Sequence, residues 1–141
     1  MSSCPDVVAG WHLWVPPPED RKKRWINLND RNHWGKKSPL TKYWREETRD
    51  RVLELVCEEW TDLTWTAPHV TAFLAFGDNR RRDVHNYMPT IKAVIDGCTD
   101  AGLWEDDRDG ILTGPDLRRD ESRPVGVTLW IREHAEEWQW G

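Results

Sequence analysis

The chain is 141 residues long, with 38% hydrophobic residues, 32% charged residues, a formal net charge of -5 and three cysteines. This balance excludes a disordered or membrane-embedded chain and fits a single domain over residues 1–141. The sequence has no membrane span and no secretory signal, so we expect a cytoplasmic protein. The cysteines are widely separated and odd in number, which supports neither a disulfide framework nor a zinc knuckle.

The first half of the chain predicts a strand, a loop and a helix. Residues 11–15 are mainly apolar and stop at three prolines, which is typical of a strand that runs into an extended stretch. Residues 19–40 have no regular period and predict a long loop. Apolar residues recur at helical spacing over residues 41–60, which predicts an amphipathic helix with Thr41 as its N-cap.

The second half predicts three strands and one helix. Residues 69–76 form a β-rich run, and the following helix begins near Pro89 and stops at Gly102. A further strand covers residues 125–131, and we expect residues 110–114 to pair with it. The alternation of strands and helices predicts an α/β domain with a mixed β-sheet packed with helices.

Charge is unevenly distributed along the chain. Basic residues dominate between positions 21 and 45, and acidic residues dominate between positions 96 and 121. This pattern suits an enzyme that contacts phosphates with one surface and holds cations with another. Two solvated surfaces of opposite sign explain it equally well.

Eleven tryptophans are spread over nearly the whole chain. We expect most of them in the core or at a dimer interface, because an indole ring buries a large apolar area. Trp25 and Trp34 lie beside the basic segment, and stacking on exposed bases is the alternative for these two.

Acidic residues follow one strand and one helix in a pattern typical of a metal site. Asp83 follows the strand at 69–76, and Asp106 and Asp107 follow the second helix. We expect that helix to return the chain so that these carboxylates meet at one end of the sheet, where they would hold Mg²⁺ or Mn²⁺. Lys92 on the same helix can neutralise a phosphate, although a helix-surface ion pair with Asp96 explains it as well.

The order of these residues resembles the RusA-type Holliday junction resolvases, which are crossover junction endodeoxyribonucleases common in bacteriophages. That family's core reads roughly Arg-x-Asp-x-Asp-Asn, then Lys-Ala with an Asp one turn on, then Ala-Gly and a closing Asp-Asp. The resemblance covers most of the chain and is strongest from Arg80 to Asp107. The segments that carry it are Leu28–Trp34, Leu40–Lys42, Trp44–Arg45, Arg80–Asn86, Lys92–Gly97 and Asp100–Asp107, together with the Pro-Pro after the first strand.

The resemblance implies a RusA-like fold, an intertwined homodimer and metal-dependent cleavage in recombination and repair. By position, Asp83 matches the first metal-binding Asp, and Asp107 matches the metal-binding acid of the closing pair, with Asp106 beside it. Lys92 matches the catalytic Lys, and Asn86 matches the Asn after the second Asp. Residues 87–91 make the interval before Lys92 longer than in better-known members, which predicts a short extra turn before the helix.

His85 stands where the family has its second Asp. A neutral imidazole can ligate Mn²⁺, or Mg²⁺ less readily, and it brings one negative charge fewer than a carboxylate. His85 can also act as a general base. The remaining alternative is that the replacement weakens or abolishes cleavage, which would leave a protein that binds branched DNA without cutting it.

The partner that we expect is a four-way DNA junction, and no membrane or small-molecule substrate. A junction has two strands to cut symmetrically, which suits a two-fold homodimer with two identical sites. We expect the DNA backbone to contact basic residues and Asn86. The basic candidates are Lys22, Lys23, Arg24, Arg31, Lys36, Lys37, Arg80, Arg81 and Arg82.

Other nuclease classes remain open from the sequence. A flap or general structure-specific nuclease on the same scaffold would carry the same residues. A His-Asn nuclease would use His33 and Asn86, but the sequence lacks the tandem Asp-His motif and the framing cysteines of that class.

Overall fold

Four strands and two helices make up the regular structure that the computed structural model describes, over residues 10–20, 22–29, 39–59, 65–105 and 111–133. They follow one another in the order strand, helix, strand, helix, strand, strand, as predicted. A short 3-10 helix precedes the second α-helix. The elements are β1 (Trp11–Val15), α1 (Pro39–Glu59), β2 (Pro68–Ala75), the 3-10 helix (Val84–Tyr87), α2 (Met88–Asp100), β3 (Thr113–Arg119) and β4 (Gly126–Glu133).

The strands form one mixed sheet in the order β1-β4-β2-β3. β4 is antiparallel to both of its neighbours, so that Leu129 lies opposite Leu13 on one side and Ala72 on the other. β3 is parallel to β2 and lies at the edge of the described sheet, with Leu117 opposite Ala72. The chain is therefore a single mixed α/β domain, as predicted.

The expected pairing between residues 110–114 and the last strand is wrong. The third strand begins at Thr113 and pairs with β2 instead. Both edges of β4 are taken by β1 and β2, so β4 has no free edge for β3, and Val127, Leu129 and Ile131 are all fully buried. A strand this apolar is more stable between two neighbours, because a central strand buries its side chains and pairs both of its backbone edges.

The helices pack against each other through the apolar stripes that the sequence predicted. Trp44 and Val52 of α1 are fully buried, as are Ile91 and Val94 of α2. Gly97 lets the two helices approach closely, since a Cβ atom at this position would collide with the carbonyl oxygen of Arg45. Together with the inward side chains of the sheet, these residues form one hydrophobic core.

The helix ends differ slightly from the expectations. α1 begins at Pro39, so Thr41 lies inside its first turn and the predicted N-cap is wrong; proline fits this turn because its fixed φ is helical and it has no N–H to leave unpaired. α2 begins at Met88 with Pro89 in its first turn, and Gly102 follows it with φ +83°. The 3-10 helix covers Val84–Tyr87, whereas residues 88–91, for which a short extra turn was predicted, form the start of α2 itself.

Within the described residues, neither helix combines the length and the apolarity needed to cross a membrane.

Candidate functional site at the edge of the sheet

A solvent-open cleft of about 620 Å³ lies beside the edge strand β3. Residues 82–85, which enter the 3-10 helix, line one side of it. Residues 115–119 of β3 line the other side. Both segments carry charged side chains into the same space, so the cleft is the candidate site of the described part of the chain.

Asp83 and His85 are held together on the 82–85 side. Asp83 is the N-cap of the 3-10 helix, and its Oδ1 accepts the backbone N–H of His85 at 3.1 Å. The same oxygen lies 3.5 Å from His85 Nδ1, and the two side chains are 65% and 73% exposed. This separation is compatible with two ligands of one divalent ion, whose bonds to nitrogen and oxygen are about 2.1 Å long.

The described residues supply only part of a metal site. Among them, no three His, Cys, Asp or Glu side chains come close enough together to hold an ion. Asp106 and Asp107, expected as further ligands, lie outside the described residues. Asp83 and His85 therefore fit a metal as two donors that need others to complete the coordination.

The reasoning that placed all three carboxylates at one sheet end is not supported by the topology. The chain leaves the C-terminal end of β2, passes Asp83 and enters α2. The helix then carries it back toward the N-terminal end of β2, where Trp104 bridges to Trp65 and Thr113 pairs with His69. A helix after a strand reverses the direction of the chain, so the segments before and after it lie at opposite ends of that strand.

Asp116 is a charged residue of the cleft that the sequence analysis missed. It lies on β3, and its Oδ2 is 3.2 Å from His69 Nε2 on the neighbouring strand β2. The signal would have been a strand over residues 113–119 in which polar residues flank the buried Leu117. The strand was predicted too early in the chain, at residues 110–114, so Asp116 was read as part of a loop.

Two arginines of the cleft are already engaged within the protein. Arg82 Nη2 lies 2.8 Å from Asp78 Oδ2, and Arg82 Nη1 donates to the Tyr87 hydroxyl at 2.9 Å. Arg119 Nε lies 2.7 Å from Glu121 Oε2, and its Nη2 donates to the backbone oxygen of Asp78 at 2.9 Å. We call Asp78, Arg82, Arg119 and Glu121 the loop network.

The acids of the loop network are held in their ionised form. The hydrogen bond from Arg82 lowers the pKa of Asp78 below its ordinary value. For Glu121, burial raises the pKa, but hydrogen bonds from Arg119 and from the backbone N–H groups of Phe76 and Gly77 outweigh it and leave the pKa lowered. The network is therefore ionised at neutral pH.

Three other arginines near the cleft differ from these two. Arg80, Arg81 and Arg118 are exposed, and none of them forms an ion pair with another described residue. Arg118 lies on β3 inside the cleft, next to Arg119 in sequence but on the opposite face of the strand. These guanidinium groups are available to an anion.

The basic segment at 22–29 is docked beside the 82–85 side of the cleft. The Thr90 hydroxyl accepts the backbone N–H of Ile26 at 2.8 Å and donates to its carbonyl oxygen at 2.9 Å. The backbone N–H of Leu28 donates to the carbonyl oxygen of Asn86 at 2.7 Å. These contacts place the exposed Lys22 and Lys23 on a segment attached to the start of α2.

Other expected DNA contacts have mixed outcomes. Arg24 Nε donates to the carbonyl oxygen of Pro18 at 3.0 Å. Trp25 packs 4.6 Å from the Phe76 ring centroid, which favours its role in the core over base stacking. Arg31, Lys36 and Lys37 lie outside the described residues, as do His33 and Trp34.

Lys92 lies on the exposed side of α2. Its Nζ is 3.1 Å from Asp96 Oδ1, one turn further along the helix. This is the helix-surface ion pair that the sequence offered as the alternative to a catalytic role. The contact itself leaves the catalytic role a prediction, because a lysine that is 60% exposed can exchange partners at little cost.

No protein-family model matches the chain, and no curated protein matches it either. The resemblance to the RusA-type resolvases therefore depends on the residues quoted for it in the sequence.

Proposed function

We propose that the chain is a divalent-metal-dependent endonuclease that cuts four-way DNA junctions by paired, symmetric cleavage. The observation that carries the proposal is the solvent-open cleft, which is lined by the Asp83–His85 pair and by the exposed Arg118. A site for phosphodiester hydrolysis needs oxygen or nitrogen donors for a cation beside cationic groups for the phosphate. Both kinds of group line this cleft.

The residues of the proposed site have different roles. Asp83 and His85 supply two metal donors, and water and the substrate phosphate would complete the coordination, as is usual for Mg²⁺. Asp106 and Asp107 stay predicted ligands from the resemblance alone. Bound Mg²⁺ or Mn²⁺ would lower the pKa of a water molecule and stabilise charge on the phosphate. Lys92 would exchange its ion pair with Asp96 for the scissile phosphate.

The rest of the proposed DNA contact lies on both sides of the cleft. Arg118 contacts the backbone from β3, and Lys22 and Lys23 contact it from the segment docked on α2. These side chains are exposed, so they reach a phosphate without breaking a buried contact. A junction has two-fold symmetry, and a homodimer would present two such clefts to its two equivalent strands.

A second candidate is a protein that binds branched DNA without cutting it. It is favoured by the absence of a three-donor metal group among the described residues. In this candidate His85 replaces a carboxylate that cleavage requires, and the cationic side chains alone hold the DNA.

The test is incubation of the full chain with an end-labelled four-way junction in Mg²⁺, in Mn²⁺ and in a chelator. The proposal expects paired nicks at symmetric positions in at least one metal and none in the chelator. Junction binding without nicks in either metal would select the second candidate. Cleavage of flaps in preference to junctions would select a general structure-specific nuclease.

A further inference from the structure

We infer that Arg82 and Arg119 are positioning residues, which hold the loop that carries Asp83, and that the DNA phosphate is contacted by Arg118 instead. The identity of the ligand as DNA depends on the proposed function. The assignment of the two positioning arginines depends on their contacts within the chain. It also revises the expectation that Arg82 contacts DNA.

The loop between β2 and the 3-10 helix, residues 76–83, is fastened to β3 mainly through one guanidinium. Arg119 Nη1 donates to the Arg80 carbonyl oxygen at 2.7 Å, and Arg119 Nη2 donates to the Asp78 carbonyl oxygen at 2.9 Å. Its Nε donates to Glu121. Arg119 therefore binds the loop at two points while its own position is fixed by a carboxylate.

Glu121 fastens the start of the same loop. Its carboxylate accepts the backbone N–H of Phe76 at 3.0 Å and that of Gly77 at 2.9 Å. These groups follow the last residue of β2, Ala75. The Arg119–Glu121 pair thus sets where the chain goes after the strand ends.

Arg82 fastens the other end of the loop. It reaches back to the Asp78 carboxylate, forward to the Tyr87 hydroxyl, and lies 4.4 Å above the centre of the Phe76 ring. Arg82 immediately precedes Asp83, so the position of the guanidinium restricts where the Asp83 carboxylate can lie.

Arg82 and Arg119 differ from Arg118 in how many of their N–H groups are already hydrogen-bonded within the protein. A guanidinium has five N–H groups, and the contacts above occupy three of them in Arg82 and in Arg119. The side chains are only 16% and 23% exposed. A phosphate would have to displace contacts that are already made, whereas Arg118 has no such contact with a described residue.

Net charge also distinguishes Arg82 and Arg119 from Arg118. The two arginines of the loop network are balanced by two carboxylates, Asp78 and Glu121, so the network adds no net positive charge to the cleft. Arg118 is not balanced in this way by a described ion-pair partner. Salt dependence of DNA binding counts neutralised phosphates and can therefore distinguish the two groups.

The first experiment compares Arg118→Gln and Arg119→Gln in two measurements: junction binding in a chelator over a range of salt concentrations, and cleavage kinetics in Mg²⁺ or Mn²⁺. Arg118→Gln is expected to reduce the slope of log K against log salt by about 0.9, the value for one lost phosphate contact on B-DNA. Arg119→Gln is expected to leave the slope unchanged and to lower kcat more than it raises KM. A slope reduced equally by both variants would overturn the assignment.

The lysine variants provide a matched control. Lysine keeps the positive charge but loses the planar fork of donors, so Arg118→Lys should restore most of the salt slope. Arg119→Lys should fail to restore kcat, because one ammonium cannot bind two carbonyl oxygens and a carboxylate in the same geometry. Full rescue of kcat by lysine at position 119 would contradict a positioning role.

Glu121→Gln keeps the test decisive if Arg119→Gln does not fold. If Arg119 contacts phosphate, the loss of Glu121 removes a competing carboxylate, so junction binding should strengthen and kcat should stay unchanged. If Arg119 positions the loop, the slope should stay the same and kcat should fall. The two assignments therefore predict different results for the same variant.

Hydrogen exchange in the DNA-free protein separates this inference from the proposed function. The backbone N–H of Asn86, which donates to the Asp83 carbonyl oxygen, should exchange about tenfold faster in Arg119→Gln and at the wild-type rate in Arg118→Gln. Equal rates in all three proteins would overturn the positioning role. A wild-type chain that binds no junction would refute the proposed function and leave the exchange result standing.

Discussion

Two groups of charged residues lie side by side at this edge of the sheet and differ in how they are used. In the loop network, each arginine faces a carboxylate and the side chains are partly buried. In the cleft, Asp83 and His85 are mostly exposed, and Arg118 has no described ion-pair partner. Arg118 and Arg119 are neighbours in sequence, yet strand alternation sends them to different groups. The charged side chains of the loop network are paired with each other and hold the loop in place. The exposed charged side chains of the cleft are accessible to a ligand.

The largest effect is expected from substituting Asp83 in the cleft. Asp83→Asn keeps a side-chain oxygen that can cap the 3-10 helix but removes the negative charge that a cation requires. We expect metal-dependent nicking of a four-way junction to fall by about a hundredfold or more, because even indirect partners of metal ligands cost 10–100-fold.

The matched control for that variant is Asp50→Asn, which changes an exposed carboxylate on α1 that pairs with Arg49. It should nick at the wild-type rate and melt at nearly the wild-type temperature. Equal nicking by both variants would remove Asp83 from the metal site.

A smaller and opposite effect is expected at His85. His85→Asp adds a negative charge beside Asp83 and should improve Mg²⁺ binding, so nicking at limiting Mg²⁺ should rise by about tenfold. The gain should shrink in Mn²⁺, which accepts imidazole more readily. The measurement is a titration of each metal, and unchanged activity in the Mg²⁺ titration would show that position 85 does not touch the ion.

The comparison extends to residues 22–24 of the basic segment. Lys22 and Lys23 are exposed, and Arg24 is half-buried and donates to the Pro18 carbonyl oxygen. Replacing both lysines by alanine should reduce the salt slope of junction binding by up to about 1.8, or about 0.9 for each phosphate contact. Arg24→Gln is the control that should leave the slope unchanged. An unchanged slope in the double variant would remove this segment from the interface.

The smallest effect concerns the acid stability of the loop network. The pKa of Asp78 is lowered in the folded state, mainly by the hydrogen bond from Arg82, so unfolding the protein raises it. The stabilising contribution is complete above the ordinary pKa of 3.8 and is lost as the pH falls through the lower folded value. Urea unfolding from pH 7 to pH 2 should therefore show the difference between wild type and Asp78→Asn shrinking below about pH 4. A constant difference would mean that Asp78 does not contribute through its charge.

Helices and strands could be predicted where the local residue pattern alone determines the secondary structure. The buried stripe of α2 and the apolar strands β1, β2 and β4 depend on local periodicity, and they were found within a few residues of their true ends. Strand pairing could not be predicted in the same way. β3 pairs with β2 because β4 occupies the centre of the sheet, and that choice depends on every strand at once.

The site was predicted in part for a similar reason. Asp83 and His85 are two residues apart, so their proximity follows from sequence alone. Asp116 enters the cleft only through the register of β3 against β2. The engagement of Arg82 depends on Asp78 and Tyr87, whose side chains meet it only after the loop has folded.

The position of β4 between β1 and β2 also affects the order in which the sheet can form. Among the described strands, β1 has β4 as its sole partner, and β1 and β2 meet only through it. A ribosome releases β4 after the other described strands, so a nascent chain shorter than about 133 residues lacks the complete strand with which β1 pairs. Pairing between residues 11–15 and 127–131 spans most of the sequence, and contacts of that separation slow folding. The described sheet is therefore completed only when β4 inserts between β1 and β2.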